Sequence, residues 1–170
     1  MSAQTTTAGF ILASSDIAEG ELIGAMHTFN GFGCAGGNIS PALSWSGAPP
    51  ETKSFALTCY DPDAPTGSGF WHWVVFNIPA TVTRLPRGAG DPKSAAAPKG
   101  AVQSRTDYGV VGYGGPCPPP GDKPHRYQFT MFAVDVAKLD AEEQSSAAVV
   151  GFNLHFHTLA KARLTGLYGR

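Results

Sequence analysis

Three stretches combine apolar and β-branched residues in runs that read as strands. They are "KSFALTCYD" at 53–61, "WHWVVFNIP" at 71–79, which Pro79 stops, and "HRYQFTMFAVDV" at 125–136. "GFILAS" near the start and "RLTGLYG" near the end read as shorter strands, the latter closing the sheet. Residues 19–45 alternate poorly and are thick with Gly, so they predict a loop with one short strand. One helix is expected within "DAEEQSSAAVVGFNLHFHTLAKA", with acids near its start and Ala147, Val150 and Leu154 at helical spacing. Residues 84–109 turn to Pro, Gly, Ala and Lys and predict a surface loop. "YGGPCPPPGDKPH" predicts a stiff one. The result is a predominantly β domain with one late helix.

A strand's two-residue period places Phe55, Leu57, Cys59 and Asp61 on one face. It groups His72, Val74, Phe76 and Ile78 on a second, and His125, Tyr127, Phe129 and Met131 on a third. Each core-facing row ends in an ionisable or hydroxylated side chain. If the first two strands pair antiparallel, Asp61 and His72 share one sheet edge. If the third runs parallel to the second, His125 and Tyr127 join them. A buried carboxylate requires donors, and an imidazole beside it supplies one. Two imidazoles and one carboxylate predict about one net positive charge near neutral pH. Such a site suits a small anion with apolar flanks.

Phe70, Trp71 and Trp73 add aromatic surface, although the two tryptophans alternate away from His72 and predict outer-face packing for at least one. Gly112, Gly114 and Gly115 leave approachable backbone N–H groups, and Pro116 to Pro120 stiffen the rim. His155 and His157 read as helix-end or packing residues rather than metal ligands. His27 has no evident partner.

The chain of 170 residues suits a single domain over 1–170, with 1–8 a flexible tail. Its net charge of −1, with no basic run, argues against nucleic acid or an anionic membrane surface as partner. No apolar stretch reaches the roughly 20 residues of a membrane helix, and the start does not read as a signal peptide. Cys34, Cys59 and Cys117 are odd in number and widely spaced. They read as thiols in a reducing compartment, hence a cytoplasmic protein, rather than as a disulfide framework or zinc site.

"DPDAP" followed by "HW", then "GPCPPPGDKPHRYQF", resembles the phosphatidylethanolamine-binding protein family in its bacterial Raf-kinase-inhibitor-like branch. "GGNISPALSW" and "HTLAKARLTGLYGR" are similar to that branch as well. The resemblance implies a mainly β fold: a central antiparallel sheet flanked by a smaller one, one or two short helices, and a shallow anion pocket at one end. Carried over by motif, the ligand-binding residues are Asp61, His72, Pro119, His125 and Tyr127, with Pro65 and Phe70 at the rim. The sequence ends shortly after "GLYGR", so the terminal helix that gates the pocket in animal members is expected to be absent. Trp71 before His72 and Phe70 at the rim also depart from that branch.

The implied ligands are phosphate-type head groups or carboxylates, with no cofactor and no metal, and homodimers are implied by analogy. The leading expectation is a non-catalytic binding protein, possessing no GxSxG nucleophile signature. Several family members regulate kinases or inhibit proteases, which implies protein docking as a second role. A metal-dependent enzyme using a two-His-one-Asp set is the alternative.

Overall fold

The computed structural model describes residues 7–170. Ten strands and one helix follow in the order β1 (Ile11–Ala13), β2 (Asn30–Gly31), β3 (Cys34–Ala35), β4 (Leu43–Ser46), β5 (Ser54–Asp61), β6 (Phe70–Pro79), β7 (Arg84–Leu85), β8 (Val102–Gln103), β9 (His125–Val134), α1 (Ala147–His157) and β10 (Thr158–Tyr168). The large sheet has the order β10-β9-β5-β6-β8, every pair antiparallel. A three-stranded sheet, β1-β4-β7, packs against it, and β2 and β3 form a small hairpin. The protein is therefore mainly β, as the alternation along the chain requires.

Two apolar layers follow from the strand period. Between the sheets lie Leu12, Leu43, Trp45 and Leu85 from the small sheet and Leu57, Cys59, Trp73, Phe129, Met131 and Ala162 from the large one. On the other face, Ala56, Val74, Phe76, Phe132 and Val134 meet Ala147, Val150 and Leu154 of α1. Those three helical residues are the ones whose spacing predicts the helix. Burial of each large side chain stabilises by about 1.5–3 kcal/mol.

The helix is shorter than the stretch that predicts it. Ser146 caps its start, accepting from the Val149 amide, so the acids at 140, 142 and 143 lie before the helix. After His157 the chain passes straight into β10. There Ala160, Ala162 and Leu164 alternate inward between Lys161 and Arg163. The expected short last strand is thus eleven residues long, paired along the whole of β9. Residues 84–109 are also more than a loop. Arg84–Leu85 pairs with β4 and Val102–Gln103 with β6. The expected tail lies outside the described residues over 1–6. Thr7 is tied to Lys161 by two hydrogen bonds, its amide donating to the Lys161 carbonyl and its hydroxyl oxygen accepting from the Lys161 amide.

Strand β6 departs from simple alternation. The β5–β6 register slips between Phe55 and Leu57 and again between Cys59 and Tyr60. Each slip is a bulge that adds one residue to β6 and re-aims the side chains beyond it. At the first, Asn77 has a φ of 57°, a conformation asparagine tolerates better than most residues. At the second, His72 is the extra residue, between Trp71 opposite Tyr60 and Trp73 opposite Cys59. The expected row of His72, Val74, Phe76 and Ile78 is therefore divided: Val74 and Phe76 face the helix layer, while Trp73, Val75 and Ile78 face the inter-sheet core. Trp73 is fully buried there, and its indole N–H donates to Gln103 Oε1 at 2.8 Å. Of the two tryptophans, only Trp71 packs on the other face, its ring centroid 4.3 Å from that of Tyr60.

Candidate ligand-binding pocket

The second bulge is what lets His72 and Trp73, adjacent in sequence, both turn toward the inter-sheet side. Trp73 fills the core, and His72 stands just beyond it at the sheet's end. Because β9 and β6 are each antiparallel to β5, they run in the same sense. That brings His125 and Tyr127 to the edge where Asp61 ends β5. A cavity of about 150 Å³ opens at this edge. Asp61, Pro65, Phe70, His72, Pro119, His125 and Tyr127 all line it.

Asp61 is 2% exposed, and both of its oxygens are engaged. Oδ1 accepts from the Asp63 amide at 2.8 Å, and Oδ2 lies 2.7 Å from His125 Nδ1. His125 Nε2 lies 3.2 Å from Asp122 Oδ2. Burial opposes charge on this imidazole, but the hydrogen bond and charge of Asp61, reinforced by Asp122, prevail and raise its pKa. Arg126 grips Asp63 with Nε and Nη2 at 2.9 and 2.8 Å, fixing the Asp61–Asp63 turn against the start of β9.

His72 is set differently. Its Nδ1 lies 2.7 Å from the Gly114 carbonyl, which can only accept, so Nδ1 carries the proton. Burial pushes its pKa down, against the opposing pull of the Gly114 carbonyl and the Asp61 charge. His125 is thus flanked by two carboxyl side chains, those of Asp61 and Asp122, where the count of imidazoles against carboxylates included only Asp61.

The two histidines predict pH dependences of opposite sign. His125 is raised above the ordinary value of about 6.5, so its contribution is complete below that pH and is lost as pH rises through the folded value. His72 is depressed, so its burial costs stability as pH falls from about 6.5 through its folded value. Urea unfolding between pH 5 and 9 should show His125→Gln removing the high-pH decline and His72→Gln removing the low-pH one. Identical pH profiles for both variants and the wild type would contradict the assignment.

Several pocket residues carry no signal in the strand pattern. Tyr108 comes from the segment read as a surface loop. Its ring stacks on Phe29 with centroids 4.0 Å apart and meets Phe70 edge-on at 4.8 Å, while its hydroxyl donates to the Gly115 carbonyl at 2.8 Å. Phe32 is 74% exposed at the rim. Cys117 lines the wall as half of a disulfide with Cys34, a correction to the expectation of free thiols. Only Cys59 remains a thiol, buried in the core.

Gly114 and Gly115 serve packing rather than exposed amides. The Gly114 N–H donates to the His72 carbonyl at 2.9 Å and the Gly115 N–H to Asn38 Oδ1 at 2.8 Å. A Cβ at Gly114 would fall 2.3 Å from the Tyr108 ring, and one at Gly115 would fall 2.2 Å from the His27 carbonyl oxygen.

The remaining histidines have structural partners. His27 is buried with Nδ1 2.7 Å from the Ile39 carbonyl, and His157 at the end of α1 lies 2.9 Å from Asp135. His155 packs edge-on against Phe156. Among the described residues, no three His, Cys, Asp or Glu side chains are grouped to hold a metal ion. No helix among them is long and apolar enough to cross a membrane.

A two-sheet β protein with a small polar pocket at one sheet end, walled by aromatic and proline residues, is the class these features define. The family model described as phosphatidylethanolamine-binding protein matches residues 13–169, and the chain belongs to that family. It is 54% identical to YbcL of Escherichia coli (strain K12) over 95% of this chain and 88% of that one. It is 52% identical to YbhB of the same organism over 92% and 98%. The crystal structure of E. coli YbcL, described as a member of the mammalian family, superposes with a TM-score of 0.94 at 53% identity, covering 96% of this chain and 99% of that one. A homologue from Chlamydia trachomatis, CT736, superposes with a TM-score of 0.80 at 33% identity over 96% and 99%.

Proposed function

We propose that this protein is a non-catalytic binding protein for a small phosphoryl-type oxyanion, held in the Asp61–His72–His125–Tyr127 pocket. The observation that carries this reading is Tyr127. It is fully buried at the pocket floor, and its hydroxyl has no hydrogen-bond partner among the described residues. A buried donor left unpaired is costly, so it is a natural place for a ligand acceptor. Burial and the Asp61 charge push the phenol's pKa up, so it remains a donor.

Absence of catalysis is supported by the state of the neighbouring groups. The Thr66 hydroxyl donates to the Gly69 carbonyl, that of Tyr108 to Gly115, and Cys117 is in a disulfide. Among the described residues only the Tyr127 hydroxyl stands uncommitted beside His72, and burial raises its pKa, which disfavours the phenolate a nucleophile would need. The metal-dependent alternative is weaker because Asp61 is committed to His125 and Asp63.

The test is calorimetric titration with methyl phosphate at pH 6. Tyr127→Phe should weaken binding at least about 10-fold, the worth of one hydrogen bond to a charged group, without lowering stability. Unchanged affinity in this variant, or no binding to the wild type, would sink the reading.

Regulation of a protein partner belongs to the same proposal. The exposed Phe32 at the rim, beside the disulfide, is the side chain a docked segment would meet first. Homodimer formation is also proposed, from the family resemblance. The exposed Val149, Phe152 and Phe156 of α1 are apolar surface that a second copy would cover. The Cys34–Cys117 disulfide favours an oxidising compartment over the cytoplasm expected from the cysteine spacing.

A further inference from the structure

The pocket's hydrogen-bonding groups are almost all committed within the chain. Both nitrogens of His125 face carboxylates, those of Asp61 and Asp122. The Arg126 guanidinium is held by Asp63. The hydroxyls of Thr66 and Tyr108 donate to backbone carbonyls. Two side-chain groups remain, with ring centroids 5.1 Å apart and nearly perpendicular planes: the imidazole of His72 and the phenol of Tyr127. Nδ1 of His72 donates to Gly114, so Nε2 presents a lone pair, and it makes no hydrogen bond among the described residues. The Tyr127 hydroxyl is a donor without a partner among the described residues. Among the described lining side chains the open positions are therefore one acceptor and one donor, with no uncommitted cationic N–H.

A fully ionised oxyanion offers only acceptors and would set a lone pair against that of His72. A phosphate monoester with one acidic hydrogen left offers both. We propose that the pocket selects the monoprotonated form of a phosphate monoester or phosphonate, its P–OH donating to Nε2 of His72 and a phosphoryl oxygen accepting from Tyr127. This deepens the oxyanion reading and rests on it. It also separates two sources of phosphate: a monoester keeps an acidic hydrogen near neutral pH, whereas the diester of a phospholipid head group has none.

The surroundings of His72 agree. Asp61 faces it from β5, Tyr127 and His125 from β9, and Tyr108 and Asp107 from the segment after β8. Only His125 among them is basic, and it is already paired. Burial keeps His72 neutral at and above the ordinary histidine range, so the lone pair persists where a monoester loses its second proton.

Calorimetry with methyl phosphate, methyl sulfate and dimethyl phosphate between pH 6 and 8 decides the matter. Methyl phosphate and methyl sulfate share shape, dimethyl phosphate adds one methyl, and at low pH all three carry one negative charge, but only the first carries an acidic hydrogen. With a second dissociation at about pH 6, the monoprotonated fraction falls from about one half at pH 6 to about one hundredth at pH 8. The association constant of methyl phosphate should fall about 50-fold in step. Methyl sulfate and dimethyl phosphate should bind at least about 10-fold more weakly at pH 6, with no such fall. His72→Gln, whose amide can donate or accept, should erase the discrimination. Equal binding of all three at pH 6, a flat methyl phosphate profile, or parallel falls for all three would overturn the inference and leave the oxyanion reading standing. Binding of none would overturn that reading itself.

Discussion

Asp61→Ala should lower the unfolding free energy by about 3–5 kcal/mol at pH 6, the range for removing one partner of a buried ion pair. The size follows from what is left behind. The His125 imidazolium, 3% exposed, loses the carboxylate at 2.7 Å, and the Asp63 amide loses its acceptor. Asp122 still faces His125 Nε2, but from a side chain 42% exposed and at 3.2 Å, so it compensates only in part. The imidazole can escape by releasing its proton, which makes the loss pH-dependent. It should be largest where the wild-type ring is charged and smaller at pH 9. Guanidinium unfolding of wild type, Asp61→Ala, His125→Gln and the double variant closes a cycle that isolates the pair. An Asp61→Ala protein within about 1 kcal/mol of wild type at pH 6, the scale of an exposed pair, would show that this pair is not a buried ionic one.

How much of this was legible in the sequence depended on how regular each strand is. β5 and β9 keep the two-residue period across the site. Leu57, Cys59 and Asp61, and Tyr127, Phe129 and Met131, stand where alternation puts them. β6 does not. Two bulges shift its phase, and a period count cannot see them, because a bulge is set by pairing with β5 rather than by local composition. His72 reached the right place for a reason the alternation did not contain, while Trp73, read as an outer-face candidate, became core.

The site's charge balance depends on neighbours that alternation cannot show. Counting imidazoles against one carboxylate omitted Asp122 from the proline loop and the backbone carbonyl of Gly114. Both are brought in by tertiary structure. Tyr108 was hidden in the same way, by a segment whose Pro, Gly and Ala content conceals how closely it packs. The motif resemblance supplied what periodicity could not. It named Pro65 and Pro119, which lie on no strand, and Phe70 at the first residue of β6, and all three line the cavity.

The disulfide carries the other large expected effect. Cys34 and Cys117 are 83 residues apart, a spacing that offers no local cue to pairing and closes a long loop. In the chain-entropy account a loop of that length restricts the unfolded ensemble by about 4–5 kcal/mol. Reduction with a dithiol, or the Cys34→Ser/Cys117→Ser double variant, should therefore lower the unfolding free energy by roughly 4 kcal/mol. Cys59 will not confuse the experiment, because burial raises its thiol pKa and keeps it from exchange.

Ligand binding should respond less than stability. The polar groups of the pocket floor stand on β5, β6 and β9, whereas the disulfide joins the β2–β3 hairpin to the proline loop at the rim. Those two segments keep other ties: the Phe29 amide donates to the Pro116 carbonyl, and Arg170 donates to the carbonyls of Pro118 and Gly33. Methyl phosphate affinity in the reduced protein should thus weaken by less than about 10-fold, one hydrogen bond's worth, while the guanidinium midpoint falls sharply. Equal midpoints for oxidised and reduced protein would mean the bridge does not constrain the unfolded chain. A loss of binding larger than that of Tyr127→Phe would mean that the rim, not the floor, holds the ligand.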